Sequence, residues 1–149
     1  MPNQFIHRFL DSGEGIPPQE SVSSVFLVAF KDGKILSIQN ERGWDVPGGH
    51  LEGDEDCLTA LKREVMEEAG AEVHDTMPYA ILTSSAWPKV MVFFVSNAIN
   101  LVDFIPSEDA FGRDLLDQEE FLRRYYGDKE LLRSLIEGAR KKLGLLHQG

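Results

Sequence analysis

Gly48 to Gly70, GGHLEGDEDCLTALKREVMEEAG, is the stretch of sequence that decides the fold. Its second half has the period of an amphipathic helix. At about 100° per residue, four apolar side chains fall on one face, which we expect to be buried: Leu58, Leu61, Val65 and Ala69. Gly70 then ends the helix in the left-handed conformation that glycine favours after a last helical residue.

A second face of the predicted helix carries Glu64, Glu67 and Glu68 at positions i, i+3 and i+4, so three carboxylates share one patch. Like charges at this spacing cost a few tenths of a kcal/mol per pair, and a positive charge should offset them. Arg63 points about 100° away from Glu64, so we expect it to reach back to the acids of the preceding loop rather than neutralise the patch. A divalent cation would supply the missing charge, and oxygen ligands favour Mg²⁺ or Mn²⁺ over zinc.

Two glycines precede the helix in Pro47-Gly48-Gly49. Without Cβ atoms, the backbone can approach an ion closely and offer it a carbonyl oxygen. A pair of adjacent glutamates alone is typical of a solvated helix face. The double glycine and Glu55 at fixed offsets from the glutamates favour a functional site instead.

The pattern resembles the Nudix box, the signature of the Nudix hydrolases. The matching positions are Gly49, five residues, Glu55, seven residues, Arg63-Glu64, the apolar Val65, Met66, Glu67-Glu68, Ala69, Gly70 and Ala71. Ala71 is the one soft point, because the family usually has a larger aliphatic residue there. With so many fixed positions, the match is far more specific than a lone glycine pattern.

The resemblance implies an α/β/α sandwich, a mixed sheet flanked by helices, that hydrolyses a nucleoside diphosphate linked to a moiety X. Water attack would release a nucleoside monophosphate and phosphorylated X, or pyrophosphate where X completes a triphosphate. Carried over position by position, Mg²⁺ or Mn²⁺ would be held by four groups: Glu64, Glu67, Glu68 and the Gly48 carbonyl. Glu55 and Arg63 would pair to brace the loop against the helix.

The general base is left open, since in this family it comes from different places. It is either a box glutamate or an acid in the irregular stretch 101–113, where Glu108 and Asp109 are the candidates. The alternative for both is a solvated loop acid. His50 could touch a phosphate or be an exposed loop histidine, and Glu52 is expected to be a loop charge.

Three aromatic residues are candidates for holding a nucleobase, and each could equally serve packing: Trp44, Trp87 and Phe94. SSAWP, Ser84 to Pro88, is similar to part of the motif of NADH pyrophosphatases, but the rest of that motif is absent. Pro88 lies close to where ADP-ribose pyrophosphatases carry a proline. A compact member that acts on nucleoside triphosphates or their oxidised forms fits equally well.

Two alternatives belong to other functional classes. Isopentenyl-diphosphate isomerases share the fold and bind Mg²⁺, but they depend on a catalytic cysteine, whereas we expect Cys57 to be a small buried residue inside the helix. Some Nudix domains sense nucleotides without cleaving them. Such modules typically lose box glutamates, and this chain keeps all of them.

The length predicts one domain over residues 1–149. The resemblance implies that its partner is a small-molecule nucleotide. A net charge of −10 argues against a nucleic-acid or anionic-membrane surface, because both require a basic patch. A single cysteine excludes an internal disulfide, and the sequence has neither the apolar core of a signal peptide nor a run of transmembrane length. We therefore expect a cytoplasmic enzyme, either a monomer or a homodimer.

Outside the box, the sequence predicts strands followed by terminal helices. Residues 1–21 read as a polar lead-in with one short strand at 4–10. Further strands are expected at 22–30, 34–39, 72–84 and 89–97, a loop at 101–113, and helices between 117 and 143. Asp32-Gly33 fits a two-residue hairpin turn. This order predicts a mixed sheet covered by helices on both sides.

Overall fold

A mixed sheet is built around its second strand, β2. The computed structural model describes residues 5–144. The strands are β1 (Phe5–Phe9), β2 (Val22–Lys31), β3 (Lys34–Asn40), β4 (Gly43–Asp45), β5 (Gly48–His50), β6 (Ala71–His74), β7 (Met77–Ser84), β8 (Val90–Ser96), β9 (Ala98–Leu101) and β10 (Gly112–Leu116). The helices are α1 (Cys57–Ala69), α2 (Gln118–Arg124) and α3 (Lys129–Leu143). The main sheet has the order β1-β7-β8-β2-β3-β10, with β4 paired to β3 and β5 to β2, while β6 and β9 form a separate pair.

Helices cover both faces of the main sheet. α1 packs on one face, where Leu61 is fully buried, and α2 and α3 pack on the other, where Phe121 is fully buried. Successive side chains of a strand point to opposite faces, and on β2 the neighbours Leu27 and Val28 accordingly belong to different core clusters. The predicted α/β/α sandwich is confirmed.

The helix that carries the glutamates begins and ends at clear signals. The Asp56 side chain accepts a hydrogen bond from the Thr59 amide at 2.7 Å, and Gly70 has φ of 59°. Three of the four predicted core positions of α1 are buried, but Leu58 is 39% exposed. The prediction for Leu58 is wrong, because its side chain lines a pocket beside Ile16 and Pro17 of the lead-in, while its neighbour Cys57 belongs to the core.

Two further differences concern strands. The single strand predicted at 72–84 is two strands, β6 and β7, separated at Asp75, whose φ of 51° turns the chain. β9 and β10 were not predicted, and they overlap the two ends of the loop expected at 101–113. Each forms by pairing with a segment distant in sequence, β9 with β6 and β10 with β3. Local periodicity carries little of that information.

Apart from the short strands β4 and β5, which were not predicted either, the remaining elements lie where the sequence places them. β1 falls within the strand predicted at 4–10, although residue 4 of that strand and residues 145–149 of the predicted domain lie outside the described residues. Asp32 and Gly33 have φ of 52° and 79°, as a type I′ hairpin turn requires. Within residues 5–144, no helix is both long and apolar enough to cross a membrane.

Candidate metal and phosphate site

The glycines of β5 bring the backbone against the helix that carries the glutamates. β5 pairs antiparallel with β2, so that Gly49 lies opposite Val25. A Cβ on Gly48 would stand 2.2 Å from the Val25 carbonyl oxygen, and a Cβ on Gly49 would stand 2.6 to 2.7 Å from the Glu64 carboxyl group. The neighbouring strand therefore requires glycine at Gly48, whereas at Gly49 glycine is required only if the Glu64 carboxyl group is to keep its place.

The Glu68 carboxylate is also tied to β5. Its Oε1 accepts a hydrogen bond from the Gly48 amide at 2.9 Å. This contact joins β5 to α1 and orients the Pro47–Gly48 peptide unit. The Gly48 backbone is therefore in contact with the helix that carries the glutamates.

Arg63 holds the preceding loop to the helix and also contacts the glutamates. Its Nε and Nη2 donate to Glu55 Oε2 and Oε1 at 2.7 and 2.9 Å. Its Nη1 donates to Glu64 Oε1 at 2.9 Å and to Glu67 Oε2 at 3.2 Å. Arg63 therefore reaches back to the loop acid Glu55 as predicted, but the prediction that it does not neutralise the glutamate patch is wrong. The helical angle fixes only the direction of Cβ, whereas a guanidinium on a long stem has five N–H donors and reaches both groups.

The glutamates open into a cleft of about 550 Å³, which we call the carboxylate cleft. Its opposite wall comes from residues 102–111, a segment that we call the acid loop. The lining residues are Glu52, Glu64, Met66, Glu67, Glu68, Asp103, Ile105, Pro106, Ser107 and Asp109. Both loop acids proposed as general base are exposed, but only Asp109 is among the residues that line the cleft.

The cleft is short of positive charge. Burial raises the pKa of Glu68 to about 7, against the effect of the Gly48 hydrogen bond, and the charges of Glu64, Asp45 and Asp109 raise it further. Burial also raises the pKa of Glu64, although Arg63 opposes that shift. Such carboxylates favour a cation that can neutralise several of them together.

The carboxylate side chains offer the oxygen donors that a hard divalent ion prefers. As they are arranged, however, they do not surround one common point. Within residues 5–144, no three His, Cys, Asp or Glu side chains stand in positions that could hold a metal ion as they are arranged. The Arg63 guanidinium instead places one cationic nitrogen against Glu64 and Glu67. All the side chains concerned offer carboxylate oxygens, the donors that Mg²⁺ and Mn²⁺ prefer.

None of the four residues considered for contact with substrate is among the residues that line the carboxylate cleft. Trp44 is half-buried and packs against the core cluster on the α2 and α3 side. Trp87 is 59% exposed in the turn between β7 and β8, and the exposed His50 places Nδ1 3.3 Å from Ser24 Oγ. Phe94 is 1% exposed, so its assignment as a stacking platform is wrong, because the centre of the sheet covers it.

Two charged residues near the cleft escape prediction from sequence. Asp45 accepts a hydrogen bond from the Tyr126 hydroxyl at 2.7 Å, and burial raises its pKa. Arg113 donates to carbonyl oxygens at the end of α1. Neither residue belongs to a periodic or spaced pattern, so only the folded chain reveals their positions.

Together, a mixed sheet between helices, a glycine strand against a glutamate helix, and the Glu55–Arg63 pair define a Nudix domain. A family model described as NUDIX domain matches residues 17–132 of the chain. The chain belongs to the Nudix family.

A MutT-like protein of Streptomyces ambofaciens is 46% identical over 59 residues, which are 38% of this chain and 38% of that protein. The chain thus matches well under half the length of that curated relative.

Solved structures share the fold. The Bacillus subtilis pyrophosphohydrolase BsRppH is 26% identical, with a TM-score of 0.61 over 76% of this chain and 72% of that one. A MutT structure described for Aliivibrio salmonicida and Vibrio cholerae is 15% identical, with a TM-score of 0.63 over 81% and 98% of the two chains. A C. elegans Ap4A hydrolase is 19% identical, with a TM-score of 0.55 over 86% and 99%. The last two show a likeness in fold alone.

Proposed function

We propose that the chain is a Nudix hydrolase that cleaves a phosphoanhydride bond of a nucleoside diphosphate linked to a moiety X. Water is the nucleophile, and the products are a nucleoside monophosphate and phosphorylated X, or pyrophosphate where the substrate is a triphosphate. The observation that carries this proposal is the position of Gly49 against Glu64. A Cβ on Gly49 would stand 2.6 to 2.7 Å from that carboxyl group and would displace it.

The cofactor in this proposal is Mg²⁺ or Mn²⁺, with four groups as its ligands: Glu64, Glu67, Glu68 and the Gly48 carbonyl. Once bound, such an ion neutralises phosphate oxygens and lowers the pKa of a bound water. Binding requires the Arg63 guanidinium to release Glu64 and Glu67, to which it now donates. Its two bonds to Glu55 keep it within reach, so that it can balance the glutamate charge whenever the ion is absent.

For the general base we propose Asp109, with a box glutamate as the alternative. Asp109 lies on the wall of the carboxylate cleft that faces the glutamates, and its charge reaches Glu68. It can therefore take a proton from a water that attacks a phosphorus atom inside the cleft. Glu108 is not among the lining residues, which favours Asp109 over it.

The substrate in this proposal is a small nucleotide, and its class is open among those suggested by the resemblance: nucleoside triphosphates and their oxidised forms, ADP-ribose and nucleotide sugars. The likeness to the pyrophosphohydrolase of Bacillus subtilis supports cleavage within a phosphate chain. The cleft also has an apolar wall at Met66, Ile105 and Pro106, which suits a ring or ribose beside the phosphates.

An isomerase of the same fold is a poor fit. Cys57 is 4% exposed, and burial raises the pKa of its thiol. It lines a different pocket, beside Ile16 and Pro17 at the start of α1, rather than the carboxylate cleft. A thiol in that position is not available to a diphosphate held by the glutamates.

The test is a panel assay with and without Mg²⁺ or Mn²⁺, in which products are separated by chromatography. The panel contains nucleoside triphosphates, oxidised triphosphates, ADP-ribose, nucleotide sugars, NADH and dinucleoside polyphosphates. We expect metal-dependent release of a nucleoside monophosphate from one of these classes. Nucleotide binding without hydrolysis would instead identify a sensing module.

Glu67→Gln should lower turnover on that substrate by orders of magnitude, because it removes a charge from the proposed ligand set. The fold should remain intact, since Glu67 is exposed and its loss relieves repulsion among the glutamates. Glu137→Gln, an exposed glutamate on α3 at the other face of the sheet, is the matched control and should leave turnover unchanged. Near wild-type turnover in Glu67→Gln would contradict the ligand assignment.

A further inference from the structure

The acid loop is held at both ends. At its start, the Val102 amide donates to the Gly70 carbonyl at 2.8 Å. At its end, Ala110 is fully buried, and the Phe111 amide donates to the Gln39 carbonyl at 2.9 Å. The irregular wall of the carboxylate cleft therefore has a fixed course between α1 and β3.

Within the loop, a tight turn carries Asp109. The Ser107 amide donates to the Ala110 carbonyl at 2.8 Å, and the Ala110 amide donates to Ser107 Oγ at 3.1 Å. These bonds enclose Asp109 between Ser107 and buried Ala110. The position of the Asp109 side chain beside the cleft therefore depends on the contacts that hold the acid loop to the rest of the chain.

Arg113 connects the loop to the end of the glutamate helix. Its Nη1 lies 3.1 Å from the Ala69 carbonyl oxygen, 2.9 Å from that of Gly70 and 2.7 Å from that of Val102. Its guanidinium carbon is 5.6 Å from the centre of the Phe104 ring. One cation therefore binds the last carbonyls of α1, the first carbonyl of the acid loop and an aromatic ring within that loop.

The end of α1, Arg113 and the acid loop are closely packed where they meet. A Cβ on Gly70 would stand 2.9 Å from the Asp103 carbonyl oxygen, 3.0 Å from Arg113 Nη1 and 3.1 Å from Phe104 Cα. The Arg113 backbone is fixed in its turn, because β10 pairs Arg113 with Ile38 of β3. The C-terminal end of a helix carries partial negative charge, which favours a cation there.

We propose that Arg113 is a positioning residue, which sets the separation between the acid loop with Asp109 and the glutamates of α1. Arg113 does not line the cleft, so it acts through the loop rather than on the substrate. This role rests on the proposed function, because it needs Asp109 and the glutamates to act on one substrate. It differs from a merely stabilising role in that it predicts a loss of kcat that depends on Asp109.

The first experiment compares Arg113→Ala with Arg140→Ala. Arg140 is a matched control, since its guanidinium lies 4.7 Å from the Phe30 ring and its Nε donates to Gln118 at 3.1 Å on the other face of the sheet. Arg113→Ala should lower kcat by up to about 100-fold, because a shift of the loop by roughly 1 Å misplaces the base. KM should change little, and Arg113→Lys should restore part of kcat because an ammonium group can donate to the same carbonyls. Arg140→Ala should lower the melting temperature and leave kcat unchanged.

A double-mutant cycle with Asp109→Asn then separates positioning from stability. If Arg113 acts through the loop, Arg113→Ala should cost almost nothing further once Asp109 is already Asn. The same fold-loss in kcat with Asp109 and with Asn at that position would overturn the proposal. An equal loss of kcat in Arg140→Ala and Arg113→Ala would also overturn it.

Amide hydrogen exchange tests the connection without any activity. Exchange across 102–111 should be faster in Arg113→Ala than in the wild-type protein, and unchanged in Arg140→Ala. Unchanged exchange in Arg113→Ala would overturn the inference. If the wild-type protein hydrolysed none of the nucleotides, the proposed function would fail, and the exchange measurement would still decide whether Arg113 holds the loop.

Discussion

At the scale of single residues, adjacent glycines of the box have different roles. The Cβ missing at Gly48 would overlap the backbone of Val25, whereas the one missing at Gly49 would overlap the movable carboxyl group of Glu64. A backbone overlap can be relieved only by displacing a strand, while a carboxylate can rotate away. The sequence places both glycines in one motif. Only the folded chain shows that a side chain at Gly48 would disturb the sheet, whereas a side chain at Gly49 would displace a glutamate of the site.

Gly48→Ala and Gly49→Ala should therefore differ in what they damage. Gly48→Ala should lower the free energy of unfolding, by about 1–3 kcal/mol as overpacking typically costs. Gly49→Ala should mainly abolish turnover, because it displaces Glu64 from its place beside the backbone. Gly15→Ala is the control, since nothing lies within 4 Å of its Cβ position. Denaturant titration and kcat measured on the same samples decide, and equal losses of stability in the two variants would contradict the distinction.

At the scale of elements, the Glu55–Arg63 pair joins the loop before α1 to the helix itself. Two hydrogen bonds link the side chains, and Glu55 Oε1 also accepts from the Glu52 amide at 2.9 Å. The hydrogen bonds from Arg63 hold the pKa of Glu55 at about 2, below its ordinary 4.5. The loop is therefore fixed to α1 as long as this carboxyl group is ionised.

The apo protein should accordingly lose stability in acid through Glu55. Because the folded pKa is depressed, the stabilisation is complete above about pH 4.5 and is lost as the pH falls through about 2. Glu55→Gln should flatten the dependence of the melting temperature on pH in this window. Glu14→Gln is a matched control, since Arg8 holds the pKa of Glu14 at about 2 as well. Both variants should flatten the profile, but only Glu55→Gln should lower turnover, by about 10–100-fold.

If Glu55→Gln left the melting profile between pH 5 and 3 unchanged, the pair would not contribute to stability. If Glu14→Gln lowered turnover as much as Glu55→Gln, the brace would have no special relation to the site.

How far the sequence predicts an element depends on where its information lies. Helix α1 was predictable because its period, its N-cap Asp56 and the terminal Gly70 are all local. The break at Asp75 was not, because an aspartate with φ of 51° looks like any polar residue between two apolar runs. β10 and the course of the acid loop depend on pairing with β3 and on contacts of Arg113, which no short segment specifies.

At the scale of the whole molecule, the sheet separates two layers with different tasks. Each face of the sheet has a hydrophobic core, one under α2 and α3 and one under α1. Only α1 also presents glutamates to the carboxylate cleft. The sequence predicts this sandwich because runs of apolar strands need cover on both faces. It also predicts the patch of glutamates, since their spacing is local. It does not predict that Asp109, and not Glu108, lines the cleft, because a loop has no period that tells which side chain faces inward.

A divalent ion should stabilise the whole domain, because it binds the folded chain and finds no assembled site in the unfolded one. Binding adds about 2.7 kcal/mol when the free ion is at about 100 times its Kd, which corresponds to roughly 5–10 °C in melting temperature for a chain of this size. Millimolar Mg²⁺ or Mn²⁺ should therefore raise the melting temperature above that in NaCl of equal ionic strength. Glu67→Gln should show a smaller rise.

The rise should also grow with pH. A carboxyl group must be ionised to bind a cation, and burial raises the pKa of Glu68 to about 7. Below that pH the group is mostly protonated, so the ion competes with a proton and stabilises the fold less. The shift should thus be larger at about pH 8 than at about pH 6 in the wild-type protein. No shift at either pH, or the same shift in Glu67→Gln, would contradict a metal site at the glutamates, since screening of the −10 net charge alone treats all carboxylates alike.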